Sequence, residues 1–148
     1  MILIGSDHGG LNLKTVLKHY LAERKIGVQD VGTDSEQSVD YPVYGLKVAE
    51  MVASGQAELG ILVCGTGIGM SIAANKVPGI RAALVTDPFM ARMSKEHNNA
   101  NILVLGGRIL DESKACELVG AWLDASFEGG RHQGRLDLIA EIEKKYCK

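Results

Sequence analysis

Apolar, β-branched runs alternate along this chain with stretches of helical period, and turn-forming residues lie between them. Ile2-Leu3-Ile4 predicts a short buried strand, and Leu13, Val16, Leu17, Tyr20 and Leu21 keep the spacing of one helix face. A second unit starts at Gly27, with a weaker strand over 28–31, a polar loop over 33–40 and a helix entered at Tyr41-Pro42, where proline suits the first turn. Leu59-Gly60-Ile61-Leu62-Val63 is continuously apolar, as expected where helices cover both faces of a parallel sheet, and its helix begins near Ile68. Segments 80–85 and 102–105 predict two further strands, separated by a helix that follows Asp87-Pro88. Asp111 reads as an N-cap ahead of the stripe Ala115, Leu118, Val119, Trp122 and Leu123, while Leu138, Ile139, Ile142 and Tyr146 mark a last helix.

Strands joined by helical crossovers predict a five-stranded parallel sheet in a doubly wound, three-layer αβα domain with an extra C-terminal helix. No linker, repeat or low-complexity stretch divides 1–148, so a single domain is expected. Ligands of such sheets bind outside the carboxyl ends of the strands. Those ends are 5–10, 64–69, 86–87 and 106–108, and they gather glycines together with Asp7, His8, Cys64 and Arg108.

Composition narrows the function. Glycine supplies 18 of 148 residues, against a usual share of roughly 7%. A net charge of −2 gives no general field for nucleic acid, and 5% aromatics offer no stacking platform for single strands. An anionic partner must be held locally. Three widely spaced cysteines without a C-x-x-C pair fit neither a disulfide framework nor a zinc ribbon, and point to a reducing cytoplasm. The first apolar run is too short for a signal segment, and no stretch approaches bilayer length.

The segment Cys64-Gly65-Thr66-Gly67-Ile68-Gly69-Met70-Ser71 follows a buried strand and opens a helix, where N–H groups can converge on an anion. Glycines also simply let a strand turn sharply. The segment is not a P-loop, because no Gly-Lys-Ser/Thr follows, but a nucleotide-binding module stays open, with Asp87 at the next strand end as the ribose acid. Cys64 is either a small core residue or, beside those N–H groups, a thiolate able to act as base or nucleophile. His97 lies in a polar run read as flanking a strand mouth, suited to proton transfer or to turn capping, and no metal-ligand spacing involves it. His8, next to Asp7, is a turn histidine or a ligand contact. Arg131 and Arg135, four residues apart, are a solvated pair or a clamp whose planar forks fit phosphate oxygens.

Taken together, Gly5-Ser6-Asp7-His8-Gly9-Gly10, Val39-Asp40-Tyr41-Pro42, the run from Cys64 to Lys76, Glu96-His97-Asn98-Asn99-Ala100-Asn101 and Gly129-Gly130-Arg131-His132 resemble the type B ribose-5-phosphate isomerase family, which includes the galactose-6-phosphate isomerase subunits. The resemblance runs from Ile4 to Arg135. It implies a Rossmann-like domain, a homodimer or homotetramer, no metal or organic cofactor, and interconversion of aldose and ketose phosphates in the pentose phosphate pathway. It makes Cys64 the base that moves a proton between C2 and C1, with Gly65, Gly67, Ile68 and Gly69 in the loop that holds the enediolate oxygens. Thr66 and His97 would assist ring opening, Asp7 and Asn98 hold sugar hydroxyls, and His8, Arg108, Arg131 and Arg135 bind phosphate, with Tyr41 lining the pocket. The site is expected to be shared between subunits, the neighbour contributing the segment with His97, Asn98 and Arg108. Some members use a glutamate at the end of the glycine loop as base; Met70 stands there, so the cysteine branch is the one resembled. Ribose 5-phosphate is the expected substrate, with allose 6-phosphate and galactose 6-phosphate as alternatives.

Overall fold

The computed structural model describes residues 1–147. Among them, every residue of β1 (Ile2–Ser6) and β5 (Ile102–Gly106) is buried, as are all but the first of β3 (Leu59–Cys64). Such strands need cover on both faces, and the sheet order β2-β1-β3-β5-β4, parallel throughout, supplies it. The edge strands β2 (Val28–Asp30) and β4 (Ala82–Leu84) are three residues each. One face carries α1 (Leu11–Glu23), α4 (Pro88–Glu96) and α5 (Glu112–Asp124), packed through Leu17, Ala91, Leu118 and Trp122 on Ile4, Ile61, Val63 and Leu103. The opposite face carries α2 (Tyr41–Ala53) and α3 (Ile68–Ala74), whose Val48, Val52, Met70 and Ala74 meet Leu3, Leu62 and Val104. Alternation along β3 therefore turns Cys64 toward α2 and α3. After β1 the chain winds outward to β2 and then crosses back to β3, so the direction of winding reverses between β1 and β3.

Several predicted boundaries shift. The strand expected over 80–85 is only Ala82–Leu84, because the Ile80 N–H closes a turn on Val77 O (3.1 Å) and the Arg81 N–H goes to Asn101 Oδ1 (2.8 Å). β2 stops at Asp30, one residue short of the predicted end, although Val31 remains buried. Asp111 is the N-cap expected, accepting from Lys114 N at 2.7 Å. The last helix, α6 (Arg131–Tyr146), forms, but its apolar positions do not reach this chain's core: Leu138, Ile139, Ile142 and Tyr146 are 60%, 43%, 57% and 72% exposed. Only His132 and Leu136 of α6 are buried.

Two polar devices frame the sheet. Lys14, fully buried, donates to Asp30 Oδ1 (2.8 Å) and to the Thr33 carbonyl, while Lys18 reaches Asp30 Oδ2 at 2.9 Å, so β2 and the start of the polar loop are tied to α1. Burial alone would raise the Asp30 carboxyl, but the hydrogen bonds from Lys14, the Gly32 N–H and Lys18 outweigh it and hold the group below the usual carboxylate range. At the other edge the Asn75 amide imitates a strand: Nδ2 donates to Ala82 O and Oδ1 accepts from Ala82 N, both at 2.9 Å. No helix among the described residues is long and apolar enough to cross a membrane.

Candidate active site

Where β1 and β3 part, a cleft of about 460 Å³ opens outside their carboxyl ends. Its lining includes Asp7, Tyr41, Cys64, Gly65, Thr66 and Arg108. Cys64 closes β3 with its sulfur 3.2 Å from the Gly67 nitrogen, which donates to it. Gly67 takes a left-handed φ of +83°, and a Cβ there would lie 2.5 Å from Leu84 Cδ1, so this turn accepts only glycine. The Ile68 N–H donates to Thr66 Oγ1 at 3.3 Å. Two N–H groups of the predicted anion nest thus already serve the Cys64 and Thr66 side chains. The Tyr41 ring packs directly over Gly69, where any Cβ would collide with it.

The remaining members of this rim come from neighbouring strand ends. Asp7 is buried and accepts from Gly10 N at 3.1 Å through Oδ1, which aims the 3-10 turn His8–Gly10 across the cleft. His8 Nδ1 accepts the Val39 N–H at 3.2 Å, so a neutral His8 carries its proton on Nε2. Arg108 follows β5, whose Gly106 stands opposite Cys64 in register; the backbone locks there through Gly107 N to Cys64 O (2.7 Å) and Arg108 N to Gly65 O (2.9 Å). Its guanidinium lies over Gly65 and Gly9 and separates this cleft from an adjoining one of about 320 Å³ beside His8. The resemblance led to the expectation that Arg108 comes from the neighbouring subunit; in this structure Arg108 lines the cleft of its own chain, because β5 pairs with β3. Met70 is fully buried with its sulfur toward Gly45, part of the α2–α3 packing.

Four predicted residues lie elsewhere. His97 and Asn98 follow α4 and precede β5, and since each crossover helix runs back against its strands, this is the amino-terminal edge of the sheet. The strand-mouth placement of His97 is therefore corrected: the length of β5, on the order of 15 Å, separates it from Cys64. Arg131 and Arg135 are exposed and share one face of the first turns of α6. That helix start meets the end of α4 through Glu128 N to Glu96 O (3.0 Å) and a stack of His97 on His132, centroids 4.2 Å apart. Sequence reasoning gave no role to His132 or Glu128; the only signal for His132 was the quoted Gly129-Gly130-Arg131-His132 motif, which Glu128 immediately precedes. Ligand atoms of His97, Glu128 and His132 come within 4.8 Å of one another. The rings are 13° from parallel, however, so their in-plane lone pairs do not converge on one point.

Asp87, the candidate ribose acid, caps α4 by accepting from Met90 N at 2.8 Å. It follows β4, which β5 separates from β3, so it does not end the strand next to β3, where a dinucleotide site has its ribose acid. Another depression, of about 490 Å³ between Glu58, Arg81 and Lys95, holds none of the predicted residues.

This arrangement has close counterparts. Residues 2–139 match the family model described as Ribose/Galactose Isomerase. The chain is 46% identical over 144 residues to ribose-5-phosphate isomerase B of Escherichia coli strain K12, covering 97% of each chain. Among solved structures, ribose-5-phosphate isomerase B of Clostridium thermocellum superposes with a TM-score of 0.97 at 59% identity, over 98% of both chains. That of Mycoplasma genitalium, with ribulose-5-phosphate bound, gives 0.93 at 43% identity over 97% of this chain and 95% of its own. By sequence along nearly its whole length and by fold, the chain belongs to the ribose/galactose isomerase family.

Proposed function

We propose that this chain is an aldose–ketose isomerase interconverting ribose 5-phosphate and ribulose 5-phosphate. The observation that carries the reading is the Cys64 sulfur, held 3.2 Å from the Gly67 nitrogen in the cleft where β1 and β3 part, with Asp7 and Arg108 on the rim. As thiolate, Cys64 takes the proton from C2 and returns it to C1 while the hydroxyl proton passes from O2 to O1. N–H groups of the loop 65–69 face the charge that develops on the enediolate oxygens. Asp7 holds a sugar hydroxyl, and His8 and Arg108 contact phosphate. Binding energy gathered at the phosphate orients the reacting carbons. The Mycoplasma relative with ribulose-5-phosphate bound supports this substrate class.

A second copy completes the site. His97, Asn98, Arg131 and Arg135 stand away from their own chain's cleft, on a helix end and a helix whose Leu138, Ile139 and Ile142 face solvent. In a homodimer each copy would lend that edge to the other's cleft. His97 then gives a proton to the furanose oxygen as its bond to C1 breaks, and the proton leaving O1 passes by way of the Thr66 hydroxyl to solvent. Asn98 holds a second hydroxyl, and the two arginines clamp phosphate. The three free cysteines fit a reducing cytoplasm.

Initial rates on a panel of pentose and hexose phosphates test the proposal, with ribose 5-phosphate expected to be turned over fastest. Preference for allose or galactose 6-phosphate would move the chain to a hexose branch. Tight binding of AMP or NAD with no turnover of any sugar phosphate would overturn the isomerase reading.

A further inference from the structure

His132 has no part in the scheme above, yet its side chain is only 8% exposed and its ring lies flat on that of His97. The chain builds this contact from both sides. His97 ends α4 with its N–H on Met93 O at 2.9 Å, and the Glu128 N–H on Glu96 O draws the extended segment before α6 against the same helix end. Gly129 and Gly130, at φ +67° and +57°, then turn the chain so that the second residue of α6 faces His97.

The charged groups around the pair favour one proton, not two. Glu128 Oε2 is 4.0 Å from His132 Nε2, outside hydrogen-bond reach, and Arg131 and Arg135 stand on the same helix. Burial first, then His97, Arg131 and Arg135, push the His132 imidazole below its ordinary range against the opposite pull of Glu128. Two stacked imidazoles disfavour a second charge, so His132 stays neutral beside His97.

We infer that His132 is a positioning residue for His97: the stacked ring fixes the plane of the His97 imidazole, so that its nitrogen meets the furanose oxygen of the sugar in one orientation. This rests on the isomerase reading, in which His97 serves ring opening and Cys64 serves the later proton transfer. An imidazole at a helix end turns about two side-chain bonds, whereas a parallel neighbour at 4.2 Å leaves it only small sliding movements.

The test separates the two steps. With ribose 5-phosphate, His132→Ala should lower kcat roughly 10- to 100-fold at nearly unchanged KM, the cost of a misoriented group. With 4-deoxyribose 5-phosphate, which lacks the hydroxyl that closes the furanose, the same variant should match the native rate. His132→Phe keeps a flat ring and should return kcat to within roughly threefold of native. If the Ala variant does not fold, His132→Gln, polar but without a flat ring, takes its place against Phe. The His97 Hε1 resonance, moved upfield by the neighbouring ring face, should keep its shift in the Phe variant and lose it in the Ala or Gln variant. Equal losses on both substrates, no loss on either, or a Phe variant as slow as Ala would overturn the inference. Native protein inactive on ribose 5-phosphate would instead overturn the isomerase reading, and the Hε1 shift would still decide whether the stack forms.

Discussion

Around Cys64 the functional groups are held by backbone: a left-handed Gly67 donates to the sulfur, Gly107 and Arg108 lock onto Cys64 and Gly65, and Val39 fixes the His8 ring. Around His97 they are held by side chains and a helix start, with Arg131 and Arg135 exposed and most of α6 free of its own core. The first region is finished when the chain folds. The second has its imidazole pair set, but Arg131, Arg135 and the apolar stripe of α6 face outward. Under the proposed function, one reaction is divided between a rigid cleft and a projecting edge.

The largest effect should come from the rigid side. Cys64→Ala is expected to lower turnover by about 10²–10⁴-fold or more with little change in KM, the worth of a placed base. Iodoacetamide should label Cys64 and be blocked by substrate, as read by site-resolved mass spectrometry. It should spare Cys116, where burial, then Glu112 and Glu23, pushes the thiol up. Retained turnover in the Ala variant would remove the base from the cleft.

On the projecting side, Arg131→Ala or Arg135→Ala should weaken apparent substrate binding by about 10- to 100-fold, the loss of a charged hydrogen bond. Thermal stability should hold, since both side chains are exposed. Lysine should recover only part of the affinity.

Whether the two regions meet across copies can be asked directly by refolding Cys64→Ala together with His97→Asn. Random pairing gives half mixed dimers, each with one intact site, and so about a quarter of native activity. Activity no higher than the sum of the two variants would confine each site to one chain.

The smallest effect separates the regions by acid. Asp30 titrates below an ordinary carboxyl at 3.8, so its stabilisation is present above that value and fades as pH falls below it. His132 titrates below an ordinary imidazole at 6.5, so its contribution begins to fade as pH falls through that value. Urea midpoints against pH should lose their slope near 6.5 in His132→Phe and below 3.8 in Asp30→Asn, and the reverse assignment would contradict both.

The layered sheet was legible because β1, β3 and β5 are uninterrupted apolar runs, and the cleft because glycines cluster where those runs end. Ile80 misled, being buried and β-branched but spent in a turn. His97 misled for a different reason: a polar run beside a strand reads alike at either end, and only the return direction of α4 tells which. That direction follows from any parallel crossover and could have been used. The His97–His132 stack lay beyond reach, since its partners are far apart in the chain and stacking leaves no periodic trace. Arg108 could have been placed from strand adjacency, which the order of elements alone does not give.

The amide of Asn75 bears on a hazard unrelated to catalysis. An open parallel sheet ends in strands whose unpaired N–H and C=O groups can template another chain. Here both outer strands are three residues long, and at β4 Asn75 already occupies the N–H and C=O of Ala82. A newly made copy therefore meets its neighbours with little free ladder to extend, and association is steered from strand stacking toward the helical surfaces.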